Sequence, residues 1–234
     1  MTATPRLGVG TLRPAQAGGG ARADAITDAE LLWLHQRERL LLGGLRRSGL
    51  GALQELEILD VGCGAGGHLV RLLGHGADAQ RLHGVDLSEP RVALARRRLP
   101  AADLQVVDGR HLPYPAGAMD VVLQFTTLSS IVAPADRAAV AREMARVTRP
   151  GGLIVSYDFW LNPFNSRTRG VTRRELRALF PGARVAAHSV TLAPPIARPV
   201  CRRSYTAAAL LQALPPLRTH VLAFIRPAGG GPAP

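Results

Sequence analysis

The stretch ILDVGCGAGG, residues 58–67, decides how the rest of the chain is read. Ile58, Leu59 and Val61 make a short apolar run of the kind that forms a buried strand. Four glycines follow within six residues, and HLVRLL behind them has the spacing of a helix. Strand, glycine turn and helix together begin a βαβ unit. Glycine allows positive φ and lets the backbone approach a ligand closely. The helix start presents unpaired N–H groups that suit an anionic group. Gly62, Gly64 and Gly67 fit the dinucleotide pattern G-x-G-x-x-G. Asp60, Gly62, Gly64 and Gly66 also fit D-x-G-x-G-x-G. An acid at Asp60 disfavours a pyrophosphate and suits an ammonium or sulfonium cation. The glycines alone leave both readings open.

Outward from this loop the chain alternates between strand and helix patterns. Strands are expected near 57–61, 82–86, 104–107, 119–125 and 152–158, with helices near 66–74, 89–98 and 135–148. This implies a parallel sheet covered by helices on both faces. Arg149-Pro150-Gly151-Gly152 is expected to end a helix. A helix near 172–179 should start after Thr172, and two last strands should cover 184–190 and 219–225. TLAPPIARP (191–199) between them reads as an insertion, followed by a short helix near 205–213. Upstream, Thr27 and Glu30 form a capping-box pair for a helix over 27–47, with Leu31, Leu34, Leu41 and Leu45 on one face. Residues 1–24 lack periodicity and read as a disordered tail. The expected organisation is a single domain over 25–228, with a helical cap (25–54), a core (55–158) and a closing segment (159–228).

In an open parallel sheet, ligands bind at the carboxyl ends of the strands. Asp86, in GVDLSEPRV, closes the second strand and lies 20 residues after Gly66, an offset at which a carboxylate accepts from ribose hydroxyls. Asp108, in VVDGRHLPYP, follows the third strand and is placed to accept from an adenine amino group or to hold an Asp-Gly turn. Gln124 and Phe125 end the fourth strand. Thr126, Thr127, Ser129 and Ser130 follow, either facing a second substrate or capping the next element.

The chain has 234 residues and a net charge of +12, carried entirely by arginine because there is no lysine. Residues 1–158 hold 18 arginines and 16 acids, whereas residues 159–234 hold 11 arginines and one acid, Glu175. The asymmetry points either to an anionic partner for the last third or to a solvated basic surface. Two cysteines so far apart give neither a disulfide framework nor a metal site. No apolar run reaches the roughly 20 residues of a membrane span, and with no secretory h-region at the start, a cytoplasmic location is expected.

In order and spacing these segments resemble the class I methyltransferase family. ILDVGCGAGG resembles its first motif, GVDLS its ribose segment, DGRHLPYPAGAMDVV its adenine loop and fourth strand, and VTRPGGLIVSYDF (147–159) the approach to its fifth strand. The resemblance implies an α/β, Rossmann-like, seven-stranded and mostly parallel sheet of order 3-2-1-4-5-7-6, its last strand antiparallel. It implies S-adenosyl-L-methionine as cofactor, with contacts at Asp60, Gly62, Gly64, Gly66, Asp86, Leu87, Asp108, Arg110 and Gln124. YDFWLNPFNSRTRGVTRRELRALFPG (157–182), VTLAPPIAR (190–198) and LRTHVLAFIR (217–226) resemble a bacterial subgroup associated with polysaccharide or secondary-metabolite pathways.

For an acceptor hydroxyl or carbon, Asp158 is the first candidate base, with His188 and His111 behind it; the alternative for Asp158 is a residue that positions the loop after it. Arg167, Arg169 and Arg173, with Thr126 and Thr127, are the candidate acceptor contacts, since arginine forks suit carboxylate and phosphate. They imply an anionic small-molecule or glycan acceptor; the family resemblance implies O-methylation, with C- or N-methylation and a non-catalytic cofactor-binding scaffold as alternatives. A nucleic-acid partner is not expected. The aromatic Asn/Asp-Pro-Pro signature of base methyltransferases is absent after the fourth strand, and Asn162-Pro163-Phe164 falls after the fifth.

Overall fold

The structure is a computed structural model that describes residues 26–160 and 168–228. The tail expected over 1–24, Asn162-Pro163-Phe164 and Arg167 lie outside the described residues. Helix α1 (Asp28–Arg47) begins on the expected capping box: Thr27 N–H donates to Glu30 Oε2 at 2.9 Å, and Glu30 N–H donates to Thr27 Oγ1 at 3.3 Å. The alternating part runs β1 (Ile58–Val61), α2 (Gly67–Gly74), β2 (Leu82–Asp86), α3 (Glu89–Arg98), β3 (Asp103–Val106) and β4 (Met119–Phe125). It continues through α4 (Thr127–Ser130), α5 (Pro134–Val147), β5 (Thr148–Phe159) and α6 (Arg173–Leu179). The chain closes with β6 (Arg184–Leu192), α7 (Pro194–Cys201), α8 (Tyr205–Gln212) and β7 (Arg218–Arg226).

The seven strands form one sheet in the order β3-β2-β1-β4-β5-β7-β6. The pairs from β3 through β5 are parallel, and β7 is antiparallel to both β5 and β6. The order reverses between β2 and β4 on either side of β1, which is the switch point where such sheets hold ligands. Because β7 runs the other way, its first residues share an edge with the carboxyl ends of β1, β4 and β5.

Side-chain alternation divides the core into two faces. Ile58, Leu123, Phe125, Val155, Tyr157, Leu222 and Phe224 pack under α1, α2 and α3. Leu59, Val61, Val122, Ile154, Val221 and Ile225 pack against α5 and α6. Asp60 therefore shares the first face, and Gln124 and Asp158 the second. Helix α1 lies so close to the sheet that a Cβ on Gly44 would fall 2.1 Å from the Phe224 ring. Among the described residues no helix is long and apolar enough to cross a membrane.

Three stretches differ from the sequence reading. Helix α5 ends at Val147 before the Arg-Pro-Gly-Gly segment, which is absorbed into a 12-residue β5 with a register shift at Met119/Val121. Gly152 permits this, because a Cβ there would meet Asp120 O and Arg149 O at 2.9 Å. The insertion at 191–199 contains a helix, α7, that its prolines concealed. Pro194 and Pro195 occupy the first helical positions, where a missing N–H costs nothing, and Ala197 and Cys201 pack with Ala29 and Leu32 of α1. The Thr-Ser run after β4 forms the short α4.

Candidate functional site

The loop between β1 and α2 has the conformation its glycines allow. Gly62, Gly64 and Gly66 have φ of +79°, +54° and +76°. A Cβ on Gly62 would sit 2.1 Å from Thr127 Oγ1, so that position needs both the conformation and the space. Gly66 stands at the N-terminus of α2 with no side-chain cap. Asp86 ties the loop to β2, one carboxylate oxygen accepting from Gly64 N–H at 2.9 Å and the other from Ser88 N–H at 2.8 Å. Beside it, Leu87 is 54% exposed and Val106, at the end of β3, 43%. These exposed apolar side chains flank the edge where a base would lie.

Asp60 is 1% exposed, and neither carboxylate oxygen has a hydrogen-bond partner in the protein. A buried carboxylate is normally paired or bonded. Burial, reinforced by the Asp86 charge and opposed by Arg71, pushes its pKa up to about 7. An unpartnered carboxyl beneath a glycine loop is a receptor for a cation, which fits the ammonium-bearing end of S-adenosylmethionine and does not fit a pyrophosphate.

Asp108 is held locally. Arg110 donates to it from its backbone at 2.9 Å and from Nε at 2.8 Å, and its other arm reaches Asp136 at 2.9 Å. The Arg110 guanidinium holds the Asp108 carboxyl below the usual carboxylate range. His111 follows on the surface.

At the end of β4 the side chains turn to structural tasks. Gln124 is fully buried; its Oε1 accepts from Thr127 and Leu128 N–H at 3.0 and 3.2 Å, capping α4, and its Nε2 donates to Ser156 Oγ and Asp158 Oδ2, both at 2.5 Å. Asp158 also accepts from Ser129 N–H at 3.0 Å and is 2% exposed. Burial raises its pKa to about 6 against the lowering effect of these hydrogen bonds. Gln124 therefore does not face the cofactor edge as expected, because α4 and Asp158 take up its amide. Asp158 is buried and, among the described residues, bonded to Gln124 and to α4, not to the loop that follows it, and lacks the geometry of an accessible base. Thr126 adopts φ +60° and donates its hydroxyl to Phe125 O, while Thr127 Oγ1 donates to Val61 O at 2.8 Å. Both hydroxyls are thus engaged with the backbone.

The other acceptor candidates are dispersed. His188 lies on the outer strand β6, across Leu222 from Tyr157 and on the sheet face opposite Asp158, with its ring edge-on to Phe224. Arg173 donates to Ser189 Oγ at 3.1 Å. Arg169 uses its backbone, its N–H donating to Ser129 O at 3.0 Å and its carbonyl accepting from Arg137 at 3.1 Å.

The sequence reading passed over a second cluster at the same edge, on the Asp60 face. It comprises Arg37 of α1, His68 and Arg71 of α2, Tyr157 of β5 and His220 of β7. His68 stacks on Phe125 and Tyr157 on His220. Its residues lie far apart in sequence, and Arg37 and Arg71 read as helix-surface residues. The available signal was a histidine two residues after Gly66, in the first turn of α2.

A parallel sheet of this order, with a glycine loop at the switch point and acids at the next strand ends, is the Rossmann-like architecture of nucleoside-cofactor transferases. Residues 58–152 match the methyltransferase domain family. Over 112 residues the chain is 37% identical to 27-O-demethylrifamycin SV methyltransferase of Amycolatopsis mediterranei (strain S699), a match covering 45% of this chain and 39% of that protein. Over 127 residues it is 32% identical to a probable S-adenosylmethionine-dependent methyltransferase of Mycolicibacterium smegmatis (strain ATCC 700084 / mc(2)155), covering 47% of this chain and 45% of the relative. The chain thus spans less than half the length of either curated relative. Among solved structures it resembles S-adenosylmethionine-bound CalS10, an amino pentose methyltransferase of Micromonospora echinaspora, with a TM-score of 0.59 at 19% identity over 82% of this chain and 91% of that one. The chain carries a class I S-adenosylmethionine-dependent methyltransferase domain, and S-adenosylmethionine is that domain's cofactor.

Proposed function

We propose that the protein transfers a methyl group from S-adenosylmethionine to a small-molecule acceptor. The unpartnered Asp60 carboxyl under the glycine loop carries this reading. In it, Asp60 holds the amino end of the cofactor, Gly62, Gly64 and Gly66 give the backbone its close approach, and Asp86 accepts from the ribose while it fixes Gly64. Leu87 and Val106 flank the adenine, with Asp108, braced by Arg110, at its amino edge. The bound cofactor supplies an already activated methyl group, so the chain's task is proximity and alignment. O-methylation of an anionic acceptor, a secondary metabolite or a glycan intermediate, is the specific form proposed. The basic last third supports it: Glu175, its only acid, is paired with Arg137 at 2.5 Å.

Calorimetry with S-adenosylhomocysteine against NAD, together with turnover of methyl-labelled S-adenosylmethionine over a metabolite panel, tests the proposal. Homocysteine-cofactor binding without NAD binding, and label in an acceptor, is the expected result. Binding without any transfer would leave a cofactor-binding scaffold.

A further inference from the structure

Five rings form a continuous wall along the carboxyl edge of the sheet beneath α1. His68 stacks on Phe125 with centroids 3.7 Å apart and planes at 12°. Phe125 meets Tyr157 at 5.8 Å, Tyr157 stacks on His220 at 5.0 Å and 17°, and His220 meets Phe159 edge-on at 6.0 Å. The chain has only ten Phe, Trp and Tyr residues, and three of them are here. Burial lowers the pKa of His68 to about 2 and of His220 to about 4, with the Arg37 charge acting in the same direction. Both imidazoles are therefore neutral, and the wall is an uncharged run of stacked, tilted and edge-on rings.

The Arg37 guanidinium lies over this surface, 5.7 Å from the Phe125 centroid and 5.2 Å from that of Tyr157. Its neighbour Glu38 is taken by Arg71 at 3.0 Å, and among the described residues no carboxylate lies within ion-pair distance of Arg37. Two ring faces and a hydrogen bond to Tyr157 hold this cation, a weaker arrangement than a fork on an anion. Helix α1 is clamped on either side of it. Trp33 Nε1 donates to Leu192 O at 3.0 Å, Gln36 Oε1 accepts from Thr191 N–H at 2.7 Å, and Gly44 abuts Phe224. Phe125 and Tyr157 are 8% and 4% exposed under this cover, so a ligand on their faces requires the Arg37 side chain to move.

We propose that this wall is the acceptor-binding face, and that the acceptor is a planar unsaturated ring bearing an anionic group, a carboxylate or an acidic enol or phenol, with Arg37 as its counter-charge. The inference rests on the methyltransferase reading above for the acceptor's role and narrows its chemistry. A flat ring replaces the cation on Phe125 and Tyr157, and its anion recovers the guanidinium. The wall shares a sheet face with Asp60, whereas Arg173 reaches Ser189, which pairs with Val221 on the opposite face. One fork matches a planar carboxylate in geometry and charge.

Ligand-observed NMR titrations of the full chain with benzoate, benzamide and cyclohexanecarboxylate, each with and without saturating S-adenosylhomocysteine, test the proposal. Benzoate should bind about tenfold tighter than either the neutral amide or the saturated acid. Arg37→Met should reduce benzoate to the benzamide level and leave S-adenosylhomocysteine affinity within about twofold, while Arg37→Lys should keep the preference for the anion at lower affinity. Equal binding of cyclohexanecarboxylate and benzoate, an unaffected Arg37→Met variant, or no benzoate binding would each overturn it. Failure of S-adenosylhomocysteine to bind would overturn the methyltransferase reading instead, because the benzoate series is also run without it.

Discussion

Asp60 and Asp158 are both buried, with pKa values raised to about 7 and about 6, but only Asp158 has partners for its oxygens. For both, the folded value lies above the ordinary aspartate value of 3.8. The folded state then holds more protons than the unfolded one between roughly pH 4 and 7, so stability falls as pH rises through that window. Asp60→Asn removes the larger share of this loss. The cofactor-free variant should melt a few degrees above wild type at pH 8 and show a flatter pH dependence in thermal scans. The same substitution should cost cofactor affinity, because the ammonium loses its charge partner. In the wild type, protonation of Asp60 competes with binding, so S-adenosylhomocysteine should bind about fivefold more weakly at pH 6 than at pH 7. An affinity independent of pH would separate Asp60 from the cofactor. Asp158→Asn should lower the melting temperature, since its new amino group faces Gln124 Nε2 or Ser129 N–H. It should leave kcat within about tenfold of wild type, where loss of a general base costs about 10²–10⁴.

At the scale of elements, Arg137 of α5 fixes the approach to the site. It is 1% exposed and donates to Glu175 at 2.5 Å, to Ile131 O at 2.7 Å and to Arg169 O at 3.1 Å. It therefore joins α4, α5 and α6 to the chain that follows β5. Arg137→Ala strands two carbonyl oxygens and a carboxylate. A buried pair broken on one side costs about 3–5 kcal/mol, and the partial exposure of Glu175 places the expected loss at the lower end. The urea midpoint should fall without a change in slope. Sequence reading found the elements whose periodicity is local, and missed those made by tertiary contact. Helix α7 was hidden because Pro194 and Pro195 read as loop residues, although at a helix start they are neutral; its packing partner Ala29 is far away in sequence. Asp60, the glycines and Asp86 were legible because short-range geometry ties them to one βαβ unit. The ring wall draws on α2, β4, β5 and β7, with its cation from α1, and no spacing in the sequence announces it. Gln124 was misread for the same reason: a glutamine at a strand end shows its position but not the α4 N-terminus that claims its amide.

For the whole molecule the deciding quantity is charge. The five parallel strands and the cofactor edge lie in the first two thirds of the chain, where arginines and acids nearly balance. The last third holds 11 arginines and a single acid, Glu175, already paired with Arg137. Like charges on α6, β6, α7 and β7 then repel across the surface, which favours expansion of the chain. Salt screens this repulsion: the Debye length falls from about 10 Å at 0.1 M to about 3 Å at 1 M. Sodium chloride over that range should raise the melting temperature by about 2–4 °C, equivalent to about 1 kcal/mol in a chain of this size. Most of the rise should come at the low end, where the Debye length changes fastest. Cofactor binding should respond differently, because Asp60 is buried and a buried charge is screened little. S-adenosylhomocysteine affinity should thus stay nearly constant while the melting temperature climbs, and benzoate binding at the half-exposed Arg37 should weaken. A melting temperature that stays flat or falls with salt would show that neighbouring groups already compensate the arginines of the last third, and would remove the charge argument for an anionic acceptor. Asp60 and the cofactor edge do not depend on that argument.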